Sequence, residues 1–244
     1  MSKRERLDKL LVDRGTVASR ERARRLVMAG AVRVGDRVVD KPGTLVALDA
    51  PIAVTGADIP YVSRGGVKLA GALDAFGTAV AGRVVLDVGA STGGFTDCVL
   101  QRGARAVVAL DVGYGQFAWA LRQDPRVTLL ERTNIRQLDA AALPATPELA
   151  VIDVSFISLR LVLPPVAGVL APGGDIVALV KPQFEVGKGQ VGSGGVVRDP
   201  ALHADAVARV RACALDLGLA CIGECESPLH GPKGNREFFV ALRA

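Results

Sequence analysis

The sequence predicts an α/β protein: a doubly wound sheet over residues 63–244, preceded by a small basic α+β unit over residues 1–58, with residues 59–62 joining the two. Three features point there. From Val84 onward short apolar runs alternate with helical stretches, the pattern of a doubly wound sheet. The first of these runs passes directly into a glycine-rich turn, Asp87-Val88-Gly89-Ala90-Ser91-Thr92-Gly93-Gly94. Positive charge is concentrated at the front: residues 1–41 hold 12 Lys and Arg against 6 Asp and Glu, while the whole 244-residue chain nets only +5, so the remainder is close to neutral. A small basic segment on a near-neutral body is the electrostatic footprint of a nucleic-acid-binding module, although an Arg-rich solvated helix face gives the same charge count.

Composition narrows the class. Half of the residues are hydrophobic and 23% are charged, which suits a chain with a real core and argues against disorder. No run of 18 apolar residues occurs, so no transmembrane helix is expected. The apolar stretch near the N-terminus is broken by Asp8, Lys9, Asp13 and Arg14, unlike a secretion signal. Four cysteines make no disulfide framework, which points to the reducing cytoplasm.

In the basic unit, Leu7, Leu10 and Leu11 recur at helical spacing and Gly15 suits a helix end. Ser19 is the N-cap expected for a second helix over 20–29, which Gly30 ends. On that helix Ala23, Leu26 and Val27 share a face, and Arg20, Arg22, Arg24 and Arg25 lie off it. Residues 32–39 alternate around a Gly35-Asp36 turn, a hairpin signal, and a strand at Ile52–Val54 closes the unit near residue 58. Ile59-Pro60-Tyr61-Val62 form a stiff joint, followed by Ser63-Arg64-Gly65-Gly66 and a helix carrying Lys68. Strands are then expected at Val84–Val88, Ala106–Leu110, Val127–Leu130, Leu149–Ile152, 176–180, near 219–222, and 237–242.

Ligands of such sheets bind beyond the carboxyl ends of the strands. Glycines in the turn after the first strand let the backbone bend tightly and approach a ligand. Asp111 ends the second strand, where a carboxylate can accept from both hydroxyls of a ribose. The spacing G-x-S-x-G-G, with Asp87 just ahead of it, differs from the dinucleotide fingerprint G-x-G-x-x-G. It resembles the class I S-adenosylmethionine-dependent methyltransferases. That resemblance implies S-adenosylmethionine as cofactor, held by Asp87, Gly89, Ser91, Thr92, Gly93, Gly94, Asp111 and Asp153, with Asn134 beside the adenine.

Arginine outnumbers lysine 23 to 7, so each lysine merits attention, because lysine can give up a proton and arginine cannot. Asp153 ends the fourth strand and Lys181 the fifth. Glu237 opens the last strand, which in this architecture runs antiparallel and starts at the same end. With Lys68 the order is Lys68, Asp153, Lys181, Glu237, which is similar to the K-D-K-E tetrad of FtsJ-like ribose 2′-O-methyltransferases. The chemistry suits it. A sulfonium methyl is already activated, but a neutral ribose hydroxyl is a poor nucleophile and needs a base. The assignment is Lys181 as base, Lys68 as its electrostatic partner, and Asp153 and Glu237 as orienting groups. Five of residues 187–195 are glycine, which predicts a mobile flap with Lys188 reaching phosphate. Phe156 and Phe184 are aromatic candidates for stacking on a base, with core packing as the default.

The front segment, LDKLLVDRG followed by SRERARRLVMAGAVRVGDRVV, resembles the alpha-L RNA-binding domain first known from a small-subunit ribosomal protein. Such domains dock on structured RNA through phosphate contacts. The contacts expected are Arg4, Arg6, Arg20, Arg22 and Arg24, with Arg64 and Lys188 beyond the joint. Together with SRGG-x-KL, DVGASTGGFTD, ALDVGYGQ, D-x-SFISL, VKPQFEVGKGQVGSGGVVRD and GN-x-EFF, the chain is identified as a member of the TlyA (haemolysin A) family. The resemblance implies 2′-O-methylation of cytidine in ribosomal RNA within a ribosomal subunit, the large subunit foremost and the small one second. Ending at Ala244, the chain looks like the large-subunit-only type. In relatives, sensitivity to capreomycin follows from these methylations. No membrane partner is expected, and the oligomeric state is not legible.

Three readings compete. A non-catalytic ribosome-assembly factor would bind RNA without transferring methyl. A haemolysin would have to enter membranes. Base N-methylation is suggested by Asp153-Val-Ser-Phe156, which faintly resembles an acid-x-x-aromatic amine-binding motif, but that chemistry does not call for two lysines. Cys221, Cys225 and His230 lack zinc-ligand spacing, so no metal is expected; His203 reads as solvated; and no Gly-Lys-Ser/Thr closes the loop near Gly187 into a P-loop.

Overall fold

Two separate sets of apolar residues bury themselves in two separate cores. In a computed structural model that describes residues 4–17, 19–28, 30–54 and 59–244, without the side chains of Lys188 and Pro232, the chain divides after Arg64 into two compact units.

The first unit contains β1 (Arg4–Arg6), α1 (Leu7–Asp13), α2 (Arg20–Met28), β2 (Val32–Val34), β3 (Arg37–Val38), β4 (Leu45–Ala47) and β5 (Ile52–Val54). Leu7, Leu10 and Leu11 of α1 pack with Ala23, Leu26 and Val27 of α2, and with Val32 and Val46. This is the periodic apolar set read from the sequence. β2 is the centre of a three-stranded antiparallel sheet, β3-β2-β5. The second helix ends at Met28; the expected last residue, Ala29, lies outside the described residues. β1 and β4 pair antiparallel and have no counterpart in the sequence reading. With three residues each, neither is long enough to display an alternation.

The second unit opens with α3 (Arg64–Phe76) and continues β6 (Val84–Val88), α4 (Gly94–Gln101), β7 (Ala106–Leu110), α5 (Trp119–Arg122), β8 (Val127–Leu130), β9 (Leu149–Ile152), α6 (Leu163–Val169), β10 (Asp175–Val180), α7 (Pro182–Glu185), α8 (Pro200–Asp216), β11 (Ala220–Glu226) and β12 (Phe238–Arg243). They build one seven-stranded sheet in the order β11-β12-β10-β9-β6-β7-β8. β6 to β10 run parallel, and β12 is antiparallel to both of its neighbours. β6, β9 and β10 are buried along their whole length, Asp87 and Asp175 included, as near-continuous apolar runs in a sheet covered on both faces must be. Val207 and Val210 of α8 and Leu163 and Val166 of α6 pack in one cluster with Leu86, Val88, Ile152 and Val180. α8 begins at Pro200, where a missing N–H costs nothing, and the side chain of Asp199 accepts from Ala201 N (2.8 Å).

Three strands differ from expectation at their ends. β10 starts one residue earlier because Asp175, a charge that reads as loop, is neutralised by Arg83 (2.7 Å) and Arg243 (2.8 Å). β11 runs on to Glu226 because it is an edge strand, where Glu224 and Glu226 face solvent. β12 begins at Phe238, which places Glu237 just ahead of it. The glycine-rich segment, read from the sequence as a mobile flap, carries local structure. It forms two short 3₁₀ turns, Lys188–Gln190 and Ser193–Gly195. Lys233 Nζ donates to Gly194 O (2.9 Å) and Asn235 Nδ2 to Gly195 O (3.0 Å), while Val197 N donates to Asn235 Oδ1 (3.1 Å).

β6 lies between β7 and β9, and from it the order runs outward in both directions, so the carboxyl end of β6 is the topological switch point of the sheet. Phe238 pairs with Val180, so the antiparallel β12 brings Glu237 to the same edge as Lys181.

Candidate active site

The turn after β6 is shaped by a close approach. A Cβ on Gly89 would lie 2.4 Å from the carbonyl oxygen of Asp153, and Gly89 holds φ +88, so only glycine passes here. Gly89 N and Ala90 N both donate to Leu110 O (2.9 and 3.1 Å), locking the turn to the end of β7. Beyond that end the Asp111 carboxylate accepts from Ser91 N (2.7 Å) and Gly113 N (2.6 Å).

These groups border a cleft of about 520 Å³, within the range that encloses a small-molecule cofactor. Of the cofactor residues expected from the sequence, Gly89, Ser91, Asp111, Asn134 and Asp153 line it, beside apolar Val88, Leu110, Ile135 and Val162. The donor set fits S-adenosylmethionine: a carboxylate fixed by backbone N–H groups for a ribose diol, an apolar slot for adenine, and a second carboxylate, Asp153, for a positive sulfonium.

The other four do not line the cleft. Asp87 is completely buried beneath the turn, where its Oδ2 accepts from Thr96 Oγ1 (2.6 Å) and its Oδ1 has no partner among the described residues. Burial pushes this carboxyl up to about 7, with the Thr96 hydrogen bond pulling it down and Asp153 adding to the rise. The acid before a Gly-rich turn is therefore an interior group here. Thr92, Gly93 and Gly94 belong to the start of α4: Thr92 O accepts from Ala118 N (3.1 Å), and Gly93 is crowded by Leu121 and Phe117. The smallness of Gly93 serves packing of the chain on itself.

The four charged residues singled out form two close pairs. Lys181 Nζ stands 2.5 Å from Asp153 Oδ1 and donates to Ser155 Oγ (2.9 Å). Lys68 Nζ, on α3, stands 2.5 Å from Glu237 Oε2. All four are largely withdrawn from water, with side-chain exposures of 11% for Lys181, 23% for Asp153, 9% for Lys68 and 0% for Glu237. Charges so shielded interact far more strongly than surface ions, and loss of one partner strands the other. Gly231 shapes the second pair: a Cβ there would fall 1.9 Å from Glu237 Oε1.

Ser155 and Gly231 were not singled out by sequence. Ser155 carried a signal, two residues beyond Asp153 at the same strand end; Gly231 carried none. Two defaults are corrected. Phe156 is not core but 90% exposed, at φ +63, with its ring 5.2 Å from that of Phe184. His203 is not solvated but buried, its Nε2 2.9 Å from Val197 O.

In the first unit, Arg4, Arg6, Arg20, Arg22 and Arg24 are exposed. Arg6 and Arg20 share the buried Asp8, at 3.0 and 3.2 Å, and these two guanidinia hold its carboxyl below the usual range against the effect of burial. Arg64 is half-buried at the start of α3, and the Lys188 side chain lies outside what the structure describes. Among the described residues no helix is long and apolar enough to cross a membrane, and no three His, Cys, Asp or Glu side chains cluster as metal ligands.

Comparison with known proteins gives matches in both parts of the chain. The FtsJ-like methyltransferase family matches residues 61–244 and the S4 domain residues 5–52. The chain is 54% identical over 244 residues (100% of it, 91% of the relative) to the 16S/23S rRNA (cytidine-2′-O)-methyltransferase TlyA of Mycobacterium tuberculosis. It is 38% identical over 237 residues (96% and 98%) to Hemolysin A of Brachyspira hyodysenteriae. A solved structure of a candidate hemolysin from Streptococcus thermophilus matches with a TM-score of 0.79 at 44% identity, over 100% of this chain and 89% of that one. A candidate S-adenosylmethionine-dependent methyltransferase from Listeria monocytogenes shares the fold, with a TM-score of 0.53 at 14% identity over 72% of this chain and 99% of that one.

Proposed function

Since the chain belongs to the TlyA family of FtsJ-like methyltransferases and carries an S4 domain, we propose that it transfers a methyl group from S-adenosylmethionine to the 2′-hydroxyl of a cytidine in ribosomal RNA. The observation that carries the proposal is the pair of shielded Lys–carboxylate contacts, Lys181–Asp153 and Lys68–Glu237, each 2.5 Å, at the carboxyl edge of the sheet where the cleft opens.

S-adenosylmethionine, when bound, supplies a methyl already activated by its sulfonium, held by Asp111, Gly89, Ser91, Asn134 and Asp153. The chain must then make and orient a nucleophile. Lys181 Nζ, as a free amine, accepts the proton of the ribose hydroxyl while the oxygen forms its new bond to carbon. Asp153 and Ser155 fix the direction of that amine, supported by their contacts at 2.5 and 2.9 Å. Lys68 lends positive potential beside the oxygen as it loses its proton, and Glu237 holds Lys68 in place. Holding the hydroxyl in near-attack geometry contributes as much as the base. Phe156, exposed and tilted against Phe184, offers a face to the target base. Arg22, Arg24 and their neighbours on α2 supply affinity through RNA phosphates. The large subunit is the first substrate to try and the small one the second.

Unmodified large and small ribosomal subunits, incubated with the protein and labelled cofactor and digested to nucleosides, test this by mass spectrometry. A cytidine that loses its new methyl together with the sugar is the expected product. A methyl retained on the base, or RNA binding with no transfer, overturns the proposal.

A further inference from the structure

Glu185 is the last residue of α7, four positions after Lys181, and is 3% exposed. It has no place in the chemistry above, yet its carboxylate is fully engaged. Its Oε2 accepts from Ser158 Oγ (2.6 Å) and its Oε1 from Leu159 N (2.7 Å). Ser158 in turn caps the turn Leu159–Leu161 by accepting from Arg160 N (3.2 Å). Burial pushes the Glu185 carboxyl up, while the Ser158 and Leu159 hydrogen bonds pull it down.

The segment after β9 runs from Asp153 through Ser155 and Phe156 to Ser158, and the segment after β10 runs from Lys181 through Phe184 to Glu185. The two are tied at both ends: by Lys181 to Asp153 and Ser155 at one, and by Glu185 to Ser158 and Leu159 at the other. Between the ties lie the facing rings of Phe156 and Phe184. Phe156 stands at φ +63, a conformation unfavourable for a bulky L-residue and one that persists only where the surroundings over-determine it.

We propose that Glu185 is a positioning residue: its buried carboxylate clamps the Asp153–Ser158 loop to the Lys181–Glu185 turn, and so sets both the aromatic face for the target base and the approach of Asp153 to Lys181. This rests on the methyltransfer reading for its consequence, but the clamp itself is a geometric claim. Its two acceptor oxygens meet one N–H and one O–H donor, so glutamine keeps the Leu159 contact through its amide oxygen and holds Ser158 by a contact of reversed direction, the amide nitrogen donating to Ser158 Oγ.

The test uses the full chain with Glu185→Gln, Glu185→Ala and Ser158→Ala. Amide hydrogen exchange at Leu159 reads the clamp without RNA. Wild type and Glu185→Gln keep the amide protected, and Glu185→Ala exchanges it about 10²-fold faster. Steady-state methyl transfer reads the consequence. Glu185→Gln stays within about threefold of wild type. Glu185→Ala loses about 10- to 100-fold in kcat, with KM for RNA raised, as expected of a misplacement of about 1 Å, and weakens cofactor binding as well, because the displaced segment from Asp153 to Ile157 lines the cleft. Ser158→Ala moves the same way by less. Unchanged exchange and kinetics in Glu185→Ala overturn the proposal, and so does equal damage from Gln and Ala, which would make the charge and not the clamp responsible. Should Glu185→Ala fail to fold, the Gln and Ser158→Ala pair decides in the same manner. A wild-type protein that transfers no methyl to ribose, with the exchange pattern intact, fails the function and leaves the clamp standing.

Discussion

Replacing Gly231 by alanine places one methyl group where the site has no room. Gly231 has an ordinary backbone φ, so the substitution carries no conformational strain of its own and acts through volume alone. The new Cβ would lie 1.9 Å from Glu237 Oε1 and 2.6 Å from its Cδ. A carbon–oxygen contact needs a little over 3 Å, so the carboxylate must retreat by roughly 1 Å or more. Glu237 is fully buried and Lys68 nearly so, and a retreat of that size pulls Oε2 out of its 2.5 Å contact with Lys68 Nζ. Breaking a buried pair outright costs about 3–5 kcal/mol; partial accommodation and the residual exposure of Lys68 bring the expected loss of folding stability to about 1–3 kcal/mol. The rate of methyl transfer falls by about 10²-fold, the effect of a misplacement of that order. Cofactor affinity, measured by calorimetry, stays at the wild-type value because Gly231 does not line the cleft. Thermal denaturation and initial rates on unmodified subunits give the other two numbers. A Gly231→Ala protein with full rate and unchanged melting would refute the assignment of Glu237 and Lys68 to the site.

Two further outcomes follow from the charges. Asp87 has its carboxyl pushed up to about 7 in the fold against 3.8 free, so the folded state holds its proton more tightly; its contribution to stability is complete below about pH 4 and is lost as pH rises to about 7, at most about 4 kcal/mol. Asp87→Asn removes that dependence, so its urea-unfolding free energy declines less than the wild type's between pH 5 and 8, and parallel curves would show that Asp87 is not the group responsible. On α2, Arg24→Ala with Arg25→Ala lowers RNA affinity and reduces the salt slope of binding by about 2 with no change in melting temperature, whereas Arg20→Ala also lowers the melting temperature because Asp8 loses a partner. Affinity unchanged in the Arg24/Arg25 variant would remove α2 from the RNA-contacting face.

Much of this was legible because the centre of the sheet, β10-β9-β6-β7, is parallel and buried. Runs such as Leu149–Ile152 and residues 176–180 are apolar on both faces, and their ends mark the strand ends where Asp153 and Lys181 stand. What the sequence concealed was set by contacts between distant residues. Asp175 reads as a loop residue until Arg83 and Arg243 close on it. Asp87 reads as a cofactor ligand, but its side chain turns inward to Thr96. Phe156 reads as core, yet it is held outward at a positive φ by a loop whose anchor, Glu185, lies 29 residues away in the sequence. Gly231 means nothing until Glu237 lies against it.

The claim on which the mechanism depends is that the Lys181 amine takes the proton of the ribose hydroxyl. Arginine at this position keeps a positive charge for Asp153 but cannot accept a proton. Single-turnover methyl transfer by Lys181→Arg, with cofactor saturating, measures this directly. The account predicts wild-type cofactor affinity and transfer slowed by about 10³-fold or more; transfer within about tenfold of wild type would contradict it.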